Sequence, residues 1–399
     1  MINDSDQVVP SAIVGSVKSV VDNTPGEVSE AQIPSSVVSA DLDYICDNLR
    51  HEFGQMGGQK VLVTGGGGFL GYYLVLSVLR WNEVTEGPPI SLTILDNFLR
   101  GVPRWLSEYN QETLAVVRKH DVTLGLPDDL EPHDYILHAA SIASPTYYRK
   151  YPIETMDANV RGLRKLLEWS RENIALGNPT SGFLFFSSSE IYGDPDPAHI
   201  PTEESYRGFV SCTGPRACYD ESKRYGETLC VNFARVYGLP ITIARPFNNY
   251  GPGLKITDRR VLPDLARDIL AGRDLRLLSD GSPTRTFCYV ADAVIGYYKI
   301  LTRGQTGEPY NIGTEEPEVT IRDIAEKLAQ HAADLLGYRG RVVFTTSDEA
   351  DYLTDNPRRR CPSIKKARQQ LGYNPQVDLD EGLRRMLIWY ASNQTGAEA

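Results

Sequence analysis

The stretch that most restricts how this chain can fold is Lys60 to Gly71, KVLVTGGGGFLG. Lys60 to Thr64 is a short apolar, β-branched run that reads as a buried strand. Gly65, Gly68 and Gly71 recur every third residue, and Tyr72 to Trp81 follows with apolar residues at helical spacing. Strand, glycine turn and helix in that order are the context in which such a repeat binds a dinucleotide. A side chain at Gly65 or Gly68 would block a pyrophosphate, and one at Gly71 would push the helix off the strand. The helix N-terminus, with Phe69 and Leu70 in its first turn, would offer free N–H groups and a positive dipole end to the phosphates. A glycine-rich turn without a ligand is the competing reading, and the correct flanks weigh against it.

From Lys60 onward strand-like and helix-like segments alternate. Ser91 to Leu95, Ala115 to His120, Tyr135 to Ala140, Phe183 to Ser187 and Ile241 to Arg245 read as strands, and Met156 to Asn173 and Tyr219 to Tyr237 as helices. This predicts an α/β fold, a Rossmann-like doubly wound parallel sheet with helices on both faces. After Asn248 the alternation weakens. Arg259 to Ala271, Thr320 to Leu336 and Asp378 to Ser392 read as helices and Arg341 to Thr345 as a strand. The expected organisation is an NAD-binding domain over 58–248 and a smaller C-terminal α/β substrate-binding domain over 249–399, partly interleaved with it. Residues 1–40, without firm periodicity, read as a mobile extension. Within 41–57, Leu42, Ile45, Leu49 and Phe53 predict an amphipathic helix that packs on the core and ends at Gly57-Gly58.

Charge narrows the function. With a net charge of -11, the chain is not expected to bind nucleic acid or an anionic membrane surface in general, so its arginine clusters call for a specific anion. No apolar run approaches the ~18 residues of a membrane span, and no signal peptide is recognisable. The six cysteines show no CxxC or His/Cys metal spacing. They are expected to be buried free thiols in a cytoplasmic protein, and no metal is expected.

Asp96 lies at the expected end of the second strand, 25 residues after Gly71. A carboxylate there accepts both ribose hydroxyls of an adenosine and repels a 2′-phosphate, which favours NAD over NADP. Arg100, nearby, could instead meet a phosphate. Asn97, Asp121, Val122, Ala139, Ala140 and Ser141, at or beside neighbouring strand ends, are further candidates for holding the cofactor. Tyr219 and Lys223 are one helical turn apart and share a face. A nearby ammonium together with the cationic nicotinamide is expected to lower the phenol's pKa so that Tyr219 can take a hydroxyl proton. Ser188 and Glu190 sit at the rim where the fifth strand ends, the first able to hydrogen-bond a reacting oxygen and the second able to serve proton transfer.

The motifs TGGGGFLG, HAAS (138–141), SSSEIYG (187–193), YDESK (219–223) and RPFNNYGP (245–252) resemble the extended short-chain dehydrogenase/reductases, the epimerase–dehydratase group. Within that group ASIASPTYYRKYPIETMDANVRG (140–162), GPRACYDESKRYGETLC (214–230), TDRRVLPD (257–264), DGSPTRTFCYVAD (280–292) and RRRCPSIKKA (358–367) resemble the UDP-glucuronic acid decarboxylases, or UDP-xylose synthases. The resemblance runs from about Gln59 to Tyr390. It implies bound NAD, a UDP-sugar substrate, and a homodimer paired through helices near 160 and 225. It implies catalytic roles for Ser188, Glu190, Tyr219, Lys223 and Arg360, the last offered to the substrate carboxylate. It implies substrate contacts for Ser144, Pro145, Tyr148, Ser189, Asn248, Arg260 and Arg285, the two arginines holding the diphosphate. The chain departs from the family pattern at Val102 to Trp105, which lacks the usual acidic residue, at Leu277-Leu278, where an aromatic is common, and at Gly251 to Lys255. The expected reaction is oxidation at C4 of UDP-glucuronate, loss of CO2 and re-reduction. A uronic-acid 4-epimerase of the same fold and a non-catalytic NAD-binding sensor are the rival readings.

Overall fold

Seven strands run parallel in one sheet: β1 (Lys60–Thr64), β2 (Ser91–Asp96), β3 (Ala115–Lys119), β4 (Tyr135–His138), β5 (Gly182–Phe186), β6 (Ile241–Pro246) and β7 (Pro309–Ile312). Their spatial order is β3-β2-β1-β4-β5-β6-β7. The structure is a computed structural model that describes residues 36–109, 115–346 and 354–393. These lie within one unit, Pro34–Ala399. The sheet is buried on both faces. Val61 and Val63 of β1, Leu137 of β4 and Leu184 and Phe186 of β5 join one core cluster. Their alternates Leu62, Ile136, Phe183 and Phe185 join the other. That is the two-residue period of a strand with apolar layers on both sides, as a parallel sheet requires.

Helix α3 (Phe69–Val84) covers one face together with α7 (Val290–Arg303); helices α4 (Leu163–Ala175) and α5 (Ala217–Tyr237) cover the other. Beyond the sheet lie α6 (Val261–Leu270), α8 (Ile321–Leu336) and α9 (Leu379–Ser392). Most boundaries fall within two residues of those expected from the sequence. A six-residue π-helical segment, Asp157–Gly162, precedes α4 at the place where Met156 to Asn173 reads as one helix. The seventh strand was not expected. It is only four residues long and begins with Pro309, which is tolerated because β7 is the edge strand.

The expected N-terminal amphipathic helix is two helices, α1 (Ser36–Asn48) and α2 (Arg50–Met56), broken at Leu49. Leu42, Ile45, Leu49 and Phe53 are buried as the spacing predicts, each worth ~1.5–3 kcal/mol of apolar burial. Helix starts at Ser36, so the last five residues assigned to a mobile extension are ordered; residues 1–35 lie outside the described residues. Asp41, fully buried, ties α1 down. Its Oδ2 accepts the hydroxyls of Tyr73 and Tyr289, both at 2.6 Å, and its Oδ1 accepts from Arg385 Nη1 at 2.8 Å.

Candidate active site

Strand β1 pairs with β2 on one side and β4 on the other, so the chain winds away in both directions from the loop after Thr64. That divergence opens the crevice in which open α/β sheets bind ligands. A cavity of about 630 Å³ opens there. Every candidate cofactor, catalytic and substrate residue named from the sequence lines it.

The glycine loop is shaped by packing as much as by ligand clearance. Gly65 has φ +74, and a Cβ there would lie 2.6 Å from the backbone N and Cα of Ala140 on β4's exit. This packing constraint stands beside the expected clash with a pyrophosphate. A Cβ at Gly71 would come within 2.4 Å of the Gly66 carbonyl, so α3 can approach its strand only without a side chain. At Gly68 the nearest atom, Gly65 O, is 3.2 Å away, and the residue borders the cavity. Asp96 Oδ2 accepts from the Gly67 N–H at 2.9 Å and Oδ1 from the Phe98 N–H at 2.7 Å. The carboxylate is thereby fixed between the glycine loop and the loop after β2. Burial pushes its pKa up, against those two N–H groups. Asn97 Nδ2 donates to Asp121 Oδ2 at 3.3 Å, and Asp121 caps the turn Val122–Leu124. Ser141 Oγ is buried without a hydrogen-bond partner among the described residues. A glycine cradle, an anchored carboxylate and an unpaired hydroxyl fit NAD. Because Asp96 would face a 2′-phosphate, NADP is expected to bind at least about 100-fold more weakly than NAD, from ~3 kcal/mol of unpaired charge. Equal affinities in a titration of the purified protein would remove Asp96 from this role.

Tyr219 and Lys223 project from the first turns of α5 into the cavity floor. The Tyr219 ring stacks on Tyr148 at 5.1 Å between centroids and 12° between planes. Lys223 Nζ lies 5.7 Å from the Tyr219 ring centre and donates to the Phe186 carbonyl at 2.7 Å. Burial lowers the Lys223 pKa to about 7. Burial likewise raises the Tyr219 phenol to about 12, against a hydrogen bond with Ser188 that lowers it. So the chain alone does not depress the phenol's pKa as the spacing suggested. Desolvation outweighs the Ser188 hydrogen bond, and burial disfavours the charge of Lys223 itself. The linkage has a definite sign. A lysine with a depressed folded-state pKa carries its full stability cost below about pH 7, and that cost fades as pH rises toward the unfolded value near 10.4. Lys223→Met is therefore expected to abolish turnover yet raise Tm near pH 6, with a smaller gain at pH 9.5. Thermal unfolding at the two pH values checks this, and a Tm gain that grows with pH would contradict it.

Glu190 follows Ser188 and Ser189 in the short turn after β5, where Ser188 Oγ accepts the Glu190 N–H at 3.2 Å. Its carboxylate is gripped from two sides. Arg360, on the short strand Arg359–Arg360, donates Nη1 to Oε1 at 2.5 Å and Nη2 to Oε2 at 2.6 Å, and Arg216 Nη2 also donates to Oε2. Burial alone would push the Glu190 pKa up; the two guanidinium groups outweigh it and hold the carboxyl well below its usual range. In this arrangement Glu190 has no proton to give at neutral pH. Arg216 and Asp220 behind it were not singled out from the sequence. Asp220 Oδ2 lies 3.7 Å from Arg216 Nε, while Oδ1 is buried without a hydrogen-bond partner among the described residues. Burial, then the charge of Glu190, push the Asp220 pKa up. The signal was present: Arg216 and Asp220 are four apart at the start of α5, within the GPRACYDESK stretch.

The remaining candidates are placed as follows. Arg285 spends its guanidinium on backbone: Nη1 donates to the Thr284 carbonyl at 2.7 Å and Nη2 to that of Pro357 at 2.6 Å. It thus fixes the segment that carries Arg360 while also lining the cavity. Arg260 Nε pairs with buried Asp258 at 2.8 Å. Ser144 Oγ donates to the Asp258 carbonyl at 2.7 Å, and Pro145 opens the following helix, Pro145–Lys150, which carries Tyr148. Asn248, at φ 39, donates to the Thr286 carbonyl at 2.8 Å.

Residues 61–313 match the sequence pattern of the NAD dependent epimerase/dehydratase family. The chain belongs to this family. UDP-glucuronic acid decarboxylase 6 of Arabidopsis thaliana is 37% identical over 331 residues, 82% of this chain and 87% of the relative. UDP-glucuronic acid decarboxylase 1 of Xenopus tropicalis is 34% identical over 336 residues, 83% of this chain and 72% of that protein. Among solved structures, the epimerase Mth375 of Methanothermobacter thermautotrophicus superposes with a TM-score of 0.73 at 28% identity, over 88% of this chain and 97% of the other. The epimerase/dehydratase fold is thus shared along most of the chain, and its cofactor is NAD. No helix among the described residues is long and apolar enough to cross a membrane.

Proposed function

We propose that this family member is a UDP-glucuronate decarboxylase that oxidises C4, releases CO2 and forms UDP-xylose or releases the UDP-4-keto-pentose. The observation that carries the reading is Glu190 held between Arg360 and Arg216 in the cavity that also holds Tyr219. A 4-epimerase needs the Tyr219–Lys223 pair but must keep the carboxylate. An anion facing the substrate carboxylate beside two guanidinium groups favours its loss. The decarboxylase relatives at 34–37% identity support the same choice.

Bound NAD supplies the reversible redox chemistry at C4. Tyr219 takes the C4 hydroxyl proton, and Lys223 orients and charges the floor beneath it. Ser188 hydrogen-bonds O4, where negative charge collects once the C5–C6 bond breaks and its electron pair moves into the enolate. Arg360, held on Glu190, keeps its positive charge beside the departing carboxylate and then the enolate, and a water held there returns a proton to C5. Residues 58–248 carry the cofactor half of this work and 249–399 the substrate half. Exposed apolar side chains on α5, Tyr225, Val231 and Val236, with Met156 nearby, fit a homodimer seam, which sedimentation velocity tests. Six free cysteines, four of them buried, fit a cytoplasmic location.

NMR of the products from UDP-glucuronate with NAD tests the reading. UDP-xylose or a UDP-4-keto-pentose with CO2 is expected. UDP-galacturonate would make the protein an epimerase, and tight NAD binding without turnover would make it a sensor.

A further inference from the structure

Arg100 sits in the loop after β2, on the cofactor side, yet its side chain leaves that side. Its Nη1 pairs with Asp258 Oδ2 at 2.8 Å, and its guanidinium lies 4.5 Å above the Tyr147 ring. Lys255 Nζ holds the Arg100 carbonyl at 2.7 Å. Asp258 is buried, and its second oxygen, Oδ1, is 2.8 Å from Arg260 Nε. One carboxylate thus spaces two guanidinium groups from distant parts of the chain. Both arginines are about one-third exposed and line the same cavity as Tyr219 and Glu190. Arg100 Nη2 is buried without a hydrogen-bond partner among the described residues, as is Asp258 Oδ1, and Arg260 approaches Asp258 through Nε. Two positive charges on one negative leave a surplus, with Lys255 adding to it, in a chain whose net charge is -11. A planar fork with unused N–H groups suits the oxygens of a phosphate ester.

We infer that Arg100, spaced from Arg260 by Asp258, joins that already expected diphosphate contact as the second guanidinium of one seat for the nucleotide sugar, with Arg100 a substrate-binding residue and Asp258 a positioning residue. This rests on the decarboxylase reading for the identity of the sugar nucleotide. The same chemistry would also suit the pyrophosphate of the cofactor, and the test separates the two. Because Arg100 springs from the loop that Asp96 anchors, the seat also links the cofactor side of the cavity to α6.

The experiment is calorimetric titration of the wild type, Arg100→Met and Arg100→Lys with UDP and with UDP-glucuronate, alongside NAD titration and steady-state kinetics. Arg100→Met is expected to weaken UDP and UDP-glucuronate on the order of 10–100-fold, the loss of a charge-assisted pair. It should raise KM by a similar factor, leave kcat within about twofold and leave NAD affinity unchanged; Arg100→Lys should recover part of the loss. Weakened NAD with unchanged UDP would assign Arg100 to the cofactor and overturn the inference. Unchanged affinity for both would reduce the Arg100–Asp258 contact to a structural ion pair and overturn it too. A wild type that binds NAD but neither UDP nor its glucuronate overturns the decarboxylase reading itself, and the seat with it.

Discussion

Tyr219→Phe is expected to bind NAD within about twofold of the wild type and to turn over UDP-glucuronate at least ~10³-fold more slowly, the scale of a lost acid–base group. The substitution removes only the hydroxyl. The ring's stack on Tyr148 and the burial of the residue remain, so the fold should be unaffected. What disappears is the proton acceptor for the C4 hydroxyl and the hydrogen bond to Ser188. Because oxidation comes first, no transient NADH absorbance should build up in a single turnover. Normal NADH formation in this variant would take Tyr219 out of the mechanism and leave Ser188 as the nearest alternative.

Glu190→Gln separates a later step. The carboxylate is bidentate to Arg360 and shared with Arg216, so the variant leaves two buried guanidinium groups facing a neutral amide. Breaking a buried pair from one side costs ~3–5 kcal/mol, and a lower Tm is expected even before substrate is added. Catalysis should change in a particular way. The C6 carboxylate enters beside an anion, and that repulsion is relieved when CO2 leaves. Glutamine removes the repulsion and frees Arg360 to pair with the ground state, which slows decarboxylation by ~2–4 kcal/mol. NADH should therefore form and persist while CO2 release falls ~30–1,000-fold. If the variant binds UDP-glucuronate but forms no NADH, Glu190 acts in the oxidation, and this division of labour is wrong.

What could be read in advance was whatever depended on short-range spacing. The strand before Gly65, the helix after Gly71 and the shared face of Tyr219 and Lys223 are each settled within a few residues, and the structure keeps all of them. Features made by distant segments meeting were not readable. Strand β7 has four residues and starts with a proline, so it carries no pattern of its own and is defined by pairing with β6. Arg216 becomes a site residue only when the turn after β5 and the strand Arg359–Arg360 close over it. The Tyr219 phenol shifts upward because burial, which no local motif encodes, outweighs the hydrogen bond with Ser188. Local sequence leaves Arg100 open to a phosphate near the adenosine; the fold sends it to Asp258 instead.

Asp41 has a consequence for how the chain is made. Its partner Tyr73 emerges from the ribosome soon after it, but Tyr289 follows 248 residues later and Arg385 344 residues later. Until the last of these has been translated, a carboxylate destined for complete burial lacks its cation, and α1 has no finished surface to dock on. The first described helix is thus among the last to settle, since contacts of such sequence separation close late. Translation through Arg385, rather than early local order, seals the back of the cofactor helix.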